Sequence, residues 1–164
     1  MGKLELEQLS TSLHRLGRLL ASRQISSRIT TAAGVEVTQQ GTTLLRVLLR
    51  EGQQSMNALA VAAGMDLGAV SRQVRLLEEA GAVTRASDPE DGRVALLRLT
   101  AEGRRIAERI RSVGMRHLED ALGEWSDADE RRLAELLGRF VDDLMATPVP
   151  ARAPRGGARR TNAS

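Results

Sequence analysis

The chain has 164 residues, 41% of them hydrophobic and 27% charged, a balance that suits an ordinary globular protein with one core and helical extensions. It contains no cysteine, which excludes disulfides, thiol redox sensing and cysteine-ligated zinc, and its two histidines, His14 and His117, have no metal-box spacing. No apolar run approaches the roughly 20 residues that span a bilayer, and Met1–Ser10 lacks a signal-peptide pattern, so cytoplasmic residence without a membrane partner is expected. The formal charge of +3 is no guide to nucleic-acid affinity. Arg152, Arg155, Arg159 and Arg160 fall in the last eighteen residues, which hold no acid, and residues 1–146 carry 20 Lys and Arg against 21 Asp and Glu. Any affinity for DNA has to come from where charges sit.

In chain order, Leu9, Leu13, Leu16 and Leu20 recur at helical spacing within a first helix over about 4–30. Residues 32–37, with Gly34, read as a break. Thr38 caps a second helix to Arg50, with Leu44, Leu45 and Leu48 facing inward. Ser55 caps a short helix to Ala63, and Gly64 ends it. Asp66 caps a fourth helix through Ala80. Two short apolar runs, 82–86 and 94–99, flank the turn formers Ser87-Asp88-Pro89-Glu90-Asp91-Gly92 and read as a β-hairpin. Thr100 opens a fifth helix with Glu102 in its first turn, and Ser126 with Asp129 restarts a sixth in capping-box fashion. From Pro148 onward no periodicity survives, and that Arg-, Pro- and Gly-rich tail is expected to lack order.

The informative stretch is the pair of helices around Gly64. A helix-turn-helix needs a small residue at the crossing, here Ala60, and a glycine at the turn. It also needs a narrow apolar stripe on the second helix, supplied by Val70, Val74 and Leu77. The opposite face carries Gly68, Ala69, Ser71, Arg72 and Arg75, small at its N-terminal end and free to enter a major groove. Arg72 offers a bidentate fork to guanine and Ser71 a bond to base or phosphate. Two helices alone serve equally well as a core hairpin with solvated arginines. The β-hairpin directly after them, flanked by Arg85, Arg93 and Arg98, shifts the balance toward a winged DNA-binding module, although those arginines could also pair with Asp88, Glu90 or Asp91.

Gly64-Met65-Asp66, Val70-Ser71-Arg72, Leu77-Glu78-Glu79-Ala80-Gly81 and Asp88-Pro89-Glu90-Asp91-Gly92-Arg93 through Leu99-Thr100 resemble the MarR family of bacterial transcription regulators. The resemblance implies a mainly α fold with a small β-hairpin wing: a winged helix-turn-helix over 38–100, dimerisation helices over 1–31 and 101–146, and a basic tail over 147–164. It implies that Arg93 enters the minor groove with Asp91 bracing it, and that a homodimer addresses half-sites of a pseudo-palindromic operator roughly 34–36 Å apart. It further implies repression relieved by a small-molecule effector. Gly68 and Ala69 replace the hydroxyl residues common in relatives, and one Phe, one Trp and no Tyr provide poorly for an aromatic-lined effector pocket. Double-stranded DNA and a second copy are thus the expected partners. A winged-helix protein-interaction module that has lost DNA binding is the alternative. No nucleophile–histidine pair, phosphate loop or catalytic carboxylate pair is present, so neither an enzyme nor a cofactor or metal is expected.

Overall fold

The computed structural model describes residues 2–87 and 95–148. The chain divides into two units, Met1–Asp120 and Ala121–Ser164. In the first unit α1 (Lys3–Leu20), α2 (Arg23–Ala32) and α3 (Gln39–Glu51) precede β1 (Gln54–Ser55). Then follow α4 (Met56–Ala63), α5 (Leu67–Glu79), β2 (Val83–Ser87), β3 (Ala95–Leu99) and α6 (Ala101–Leu122), while α7 (Asp127–Ala146) belongs to the second unit. The first predicted helix is therefore two. Ser22 takes extended backbone and its hydroxyl accepts from the Ile25 amide at 3.4 Å, so a fresh N-cap interrupts the leucine periodicity.

The other predicted caps form as expected. Thr38 accepts from Gly41 N, Ser55 from Ala58 N and Asp66 from Ala69 N, each satisfying an orphan donor of a first turn. Ser126 accepts from Asp129 N at 3.2 Å and also donates its hydroxyl to the Asp129 carboxylate at 2.7 Å, closing the first turn of α7 twice. The core lies among α3, α4, α5 and β3, with Leu44, Leu45, Leu59, Val70, Val74 and Leu97 fully buried. Ile29 of α2 packs against its edge, and Ala107 and Ile110 of α6 belong to it.

The sheet is antiparallel in the order β1-β3-β2. The hairpin pairs Val83 with Leu99 through Ser87 with Ala95. A third strand, absent from the sequence reading, pairs Gln54 with Leu97 and Ser55 with Leu96, so the residue capping α4 also anchors the base of the wing. Where β3 ends, Thr100 N donates to Ala82 O at 3.0 Å and its hydroxyl donates to Gly81 O at 2.7 Å, while the Thr100 Oγ1 accepts from Gly103 N. Gly103 is buried against this junction. A Cβ there would stand 2.7 Å from the carbonyl carbon of Ala82 and closer still to its oxygen.

Candidate nucleic-acid interface

The turn between α4 and α5 is built by Gly64, whose φ of 62° and ψ of 35° are left-handed and cost a glycine nothing. Met65 N closes back onto Ala60 O at 3.0 Å, so α4 ends sharply and Asp66 can begin α5 at once. Val70, Val74 and Leu77 then seat α5 in the core. One further tie was not legible in the sequence. The Thr38 hydroxyl, already accepting from Gly41 N, donates to Gln73 Oε1 at 2.6 Å and fastens the start of α3 to the middle of α5.

With that stripe inward, α5 presents Gly68, Ser71, Arg72 and Arg75 to the outside, as expected. Ala69 departs from expectation. It is only 5% exposed, because on the helical wheel it lies beside Gln73 with Leu77 next beyond, and so turns toward the interior rather than the outer face. Gly68 has a steric role: a Cβ there would lie 3.2 Å from Asp66 Oδ1 and 3.5 Å from Arg72 Nη1. The bare backbone leaves room for the cap and for the Arg72 guanidinium, which reaches back toward the first turn as helical side chains do. Arg72 has no ion-pair partner among the described residues, whereas Arg75 Nε lies 3.8 Å from Glu79 Oε1. Leu67, not singled out from sequence, shares the outer face and is 50% exposed.

The acids at the end of α5 have specific work. Glu78 receives Arg85 of β2 through two bonds, Nε at 2.8 Å and Nη2 at 3.2 Å. These hydrogen bonds hold the Arg85 guanidinium above its ordinary pKa, with burial opposing and the Glu78 charge assisting. Among the described residues the partner of Arg85 is thus Glu78, and the bond fixes the base of the wing to the end of the outward helix. Arg98 is exposed on β3. Asp91 and Arg93, together with Asp88 and Glu90, lie outside the described residues.

The remaining candidates are plain. His14 sits on the exposed face of α1 with Nδ1 2.8 Å from Ser10 O, and His117 is exposed on α6. Trp125 is half exposed and lines an open groove of about 510 Å³ with Arg132, Leu133 and Leu136 in the second unit. A second groove, about 600 Å³, runs between Ala32–Ala33 and the Glu102, Arg105, Arg109, Val113 and Arg116 side of α6, with no aromatic side chain lining it. Among the described residues no group of three or more His, Cys, Asp or Glu is placed to hold a metal ion, and no helix is long and apolar enough to cross a membrane.

Known proteins share this arrangement. A model of the MarR family matches residues 36–94, from the start of α3 into the hairpin. A protein assigned to transcriptional regulation of the hcr operon in Thauera aromatica is 34% identical over 138 residues, covering 84% of this chain and 82% of its own. Among solved structures, a MarR family protein from Bacillus stearothermophilus has a TM-score of 0.75 at 24% identity, over 90% of this chain and 99% of that one. The PcaV transcriptional regulator of Streptomyces coelicolor, in complex with its natural ligand, has a TM-score of 0.56 at 25% identity, over 83% of this chain and 91% of that one.

Proposed function

The chain belongs to the MarR family of transcription regulators, which are not enzymes, and on that premise we propose that it is a cytoplasmic homodimeric repressor that reads a pseudo-palindromic operator with α5 in the major groove. The observation that carries this reading is the outward row of Ser71, Arg72 and Arg75 on a helix seated by Val70, Val74 and Leu77. Arg72 reads a guanine, Ser71 bonds a base or phosphate, Arg75 approaches a phosphate chain, and Gly68 lets the backbone come close. By family resemblance Arg93 enters the minor groove with Asp91 bracing it. Repression follows from a dimer occupying promoter DNA.

The dimer is supported by apolar side chains left largely exposed among the described residues. Helix α1 buries no residue at all, and Leu9, Leu16 and Leu19 stand exposed on it; α7 likewise leaves Leu133, Leu137 and Val141 exposed. Side chains of this kind in these numbers mark an interface. An effector is supported by the ligand-bound state of PcaV, and the groove beside Arg105, Arg109 and Arg116 is where we assign it. The test is selection of bound duplexes from a genomic pool, followed by Arg72→Ala. That variant should bind the selected site on the order of 1–3 kcal/mol more weakly and lose selectivity at one base position. If Arg72→Ala and Arg93→Ala both bound as tightly as the parent chain, the proposed mode would be wrong. The near-neutral charge of residues 1–146 favours one second reading, a winged protein-interaction module. It would be preferred if no duplex showed salt-dependent binding and a partner protein were retained instead.

A further inference from the structure

The first turn of α5 holds a large apolar side chain that the fold does not use. Leu67 is the first residue of the helix, 50% exposed, and lies on the same ridge as Ser71 and Arg75, four and eight residues on. The other exposed leucine of the helix, Leu76, is in the last turn at the opposite edge of the outer arc. Within the first turn itself the polar possibilities beside Leu67 are already taken or absent. The Asp66 carboxylate is occupied as the cap of Ala69 N at 2.8 Å, and Gly68 has no side chain. The Arg72 guanidinium reaches back over Gly68, so that the N-terminal half of α5 presents an apolar group and a two-pronged donor on one outer arc.

Only one base offers an apolar group to the major groove: thymine, through its C5-methyl. The guanidinium fork matches guanine O6 and N7 at a neighbouring step. We infer that Leu67 is a specificity-determining residue, packing on the C5-methyl of a thymine within two base pairs of the guanine read by Arg72 in each half-site. This rests on the reading of α5 as the major-groove helix and adds to it a base preference carried by shape and apolar contact, with no hydrogen bond. It also explains why an exposed leucine stands where a lysine or serine would keep the helix soluble at no cost.

The experiment uses the full-length protein and the operator recovered by duplex selection. Each thymine near the guanine sensitive to Arg72→Ala is replaced singly by deoxyuridine, which removes the methyl and leaves base pairing intact. One position should show about a fourfold loss of affinity, the value of one buried methyl group. Leu67→Ala should bind thymine and uracil duplexes equally, while keeping its sensitivity to the guanine. The deoxyuridine scan needs no altered protein, so a folding defect in Leu67→Ala cannot rescue or sink the idea. A specific duplex bound with no methyl-sensitive thymine would overturn the Leu67 assignment alone, as would Leu67→Ala retaining the parent discrimination. Failure to bind any specific duplex would overturn both this assignment and the DNA-binding reading beneath it.

Discussion

Replacing Gly103 by alanine sets two physical effects against each other with opposite signs. Gly103 is the third residue of α6, where alanine is ordinarily favoured over glycine by up to about 1 kcal/mol through helix propensity. The added Cβ, however, would stand 2.7 Å from the carbonyl carbon of Ala82, where carbon atoms normally keep about 3.5–4.0 Å. The carbonyl oxygen is closer still, so helix α6 would have to retreat by roughly 1.5 Å, and the retreat strains the bonds from Thr100 N to Ala82 O and from the Thr100 hydroxyl to Gly81 O. Two neutral hydrogen bonds are worth about 1 kcal/mol each, and overpacking a fitted contact costs about 1–3 kcal/mol. Set against the propensity gain, the net loss is roughly 2–4 kcal/mol, or about 5–15 °C in Tm for a chain of this length. Gly114 on the same helix is the control, because a Cβ there meets nothing within 4 Å, and Gly114→Ala should hold or raise the melting point. Thermal and urea unfolding at one fixed protein concentration provide the measurement, since the proposed dimer would make Tm concentration-dependent. If Gly103→Ala melted at or above the parent temperature, the packing of α6 on the Gly81–Ala82 segment would not be a constraint and the reasoning would fail.

Glu78→Gln should lower stability by less than about 1 kcal/mol, because the Arg85 pair is partly solvated, and urea midpoints measure it. The Arg85 pKa is raised in the folded state, so its contribution is complete below the guanidinium's ordinary range and fades only as pH rises through the elevated value. A difference between parent and Glu78→Gln that grew from about pH 7 to pH 9, well below any guanidinium titration, would contradict this assignment. Arg75→Ala should weaken all duplexes alike and reduce the slope of log affinity against log salt by about one, without altering base preference. Leu16→Glu combined with Leu137→Glu should shift sedimentation from dimer to monomer while leaving the helical signal largely intact; a dimer unchanged at micromolar concentration would remove α1 and α7 from the interface.

The sequence foretold most of what positions the site, because the determinants are local. Thr38, Ser55, Asp66 and Ser126 each precede an apolar-periodic run, and a side-chain oxygen at that place has one evident use. The outward face of α5 was readable as the complement of Val70, Val74 and Leu77. Alanine is small enough to suit either face, so the burial of Ala69 depends on neighbours that periodicity does not name. Leu67 is hidden for the converse reason: an apolar residue at a helix start is ordinarily counted toward the core. Gln73 and Thr38 lie 35 positions apart, Glu78 and Arg85 straddle a change of element, and β1 is two residues long. None of these leaves a periodic trace, since each exists only after the chain has closed on itself.

The Thr38–Gln73 bond has a consequence for how the molecule opens. One hydroxyl serves two helices, accepting from the first turn of α3 and donating to the middle of α5, so opening at the start of α3 and at the middle of α5 is coupled through it. Amide protons of α3 and α5 should therefore exchange with solvent as one cooperative block, at the slowest rate in the chain. Helix α1, which buries nothing in the protomer, has no such lock and should exchange early whenever it lacks a partner. If the proposed dimer forms, the α3–α5 pair should outlast its separation, and a protomer released by dilution should keep the outward face of α5 already formed.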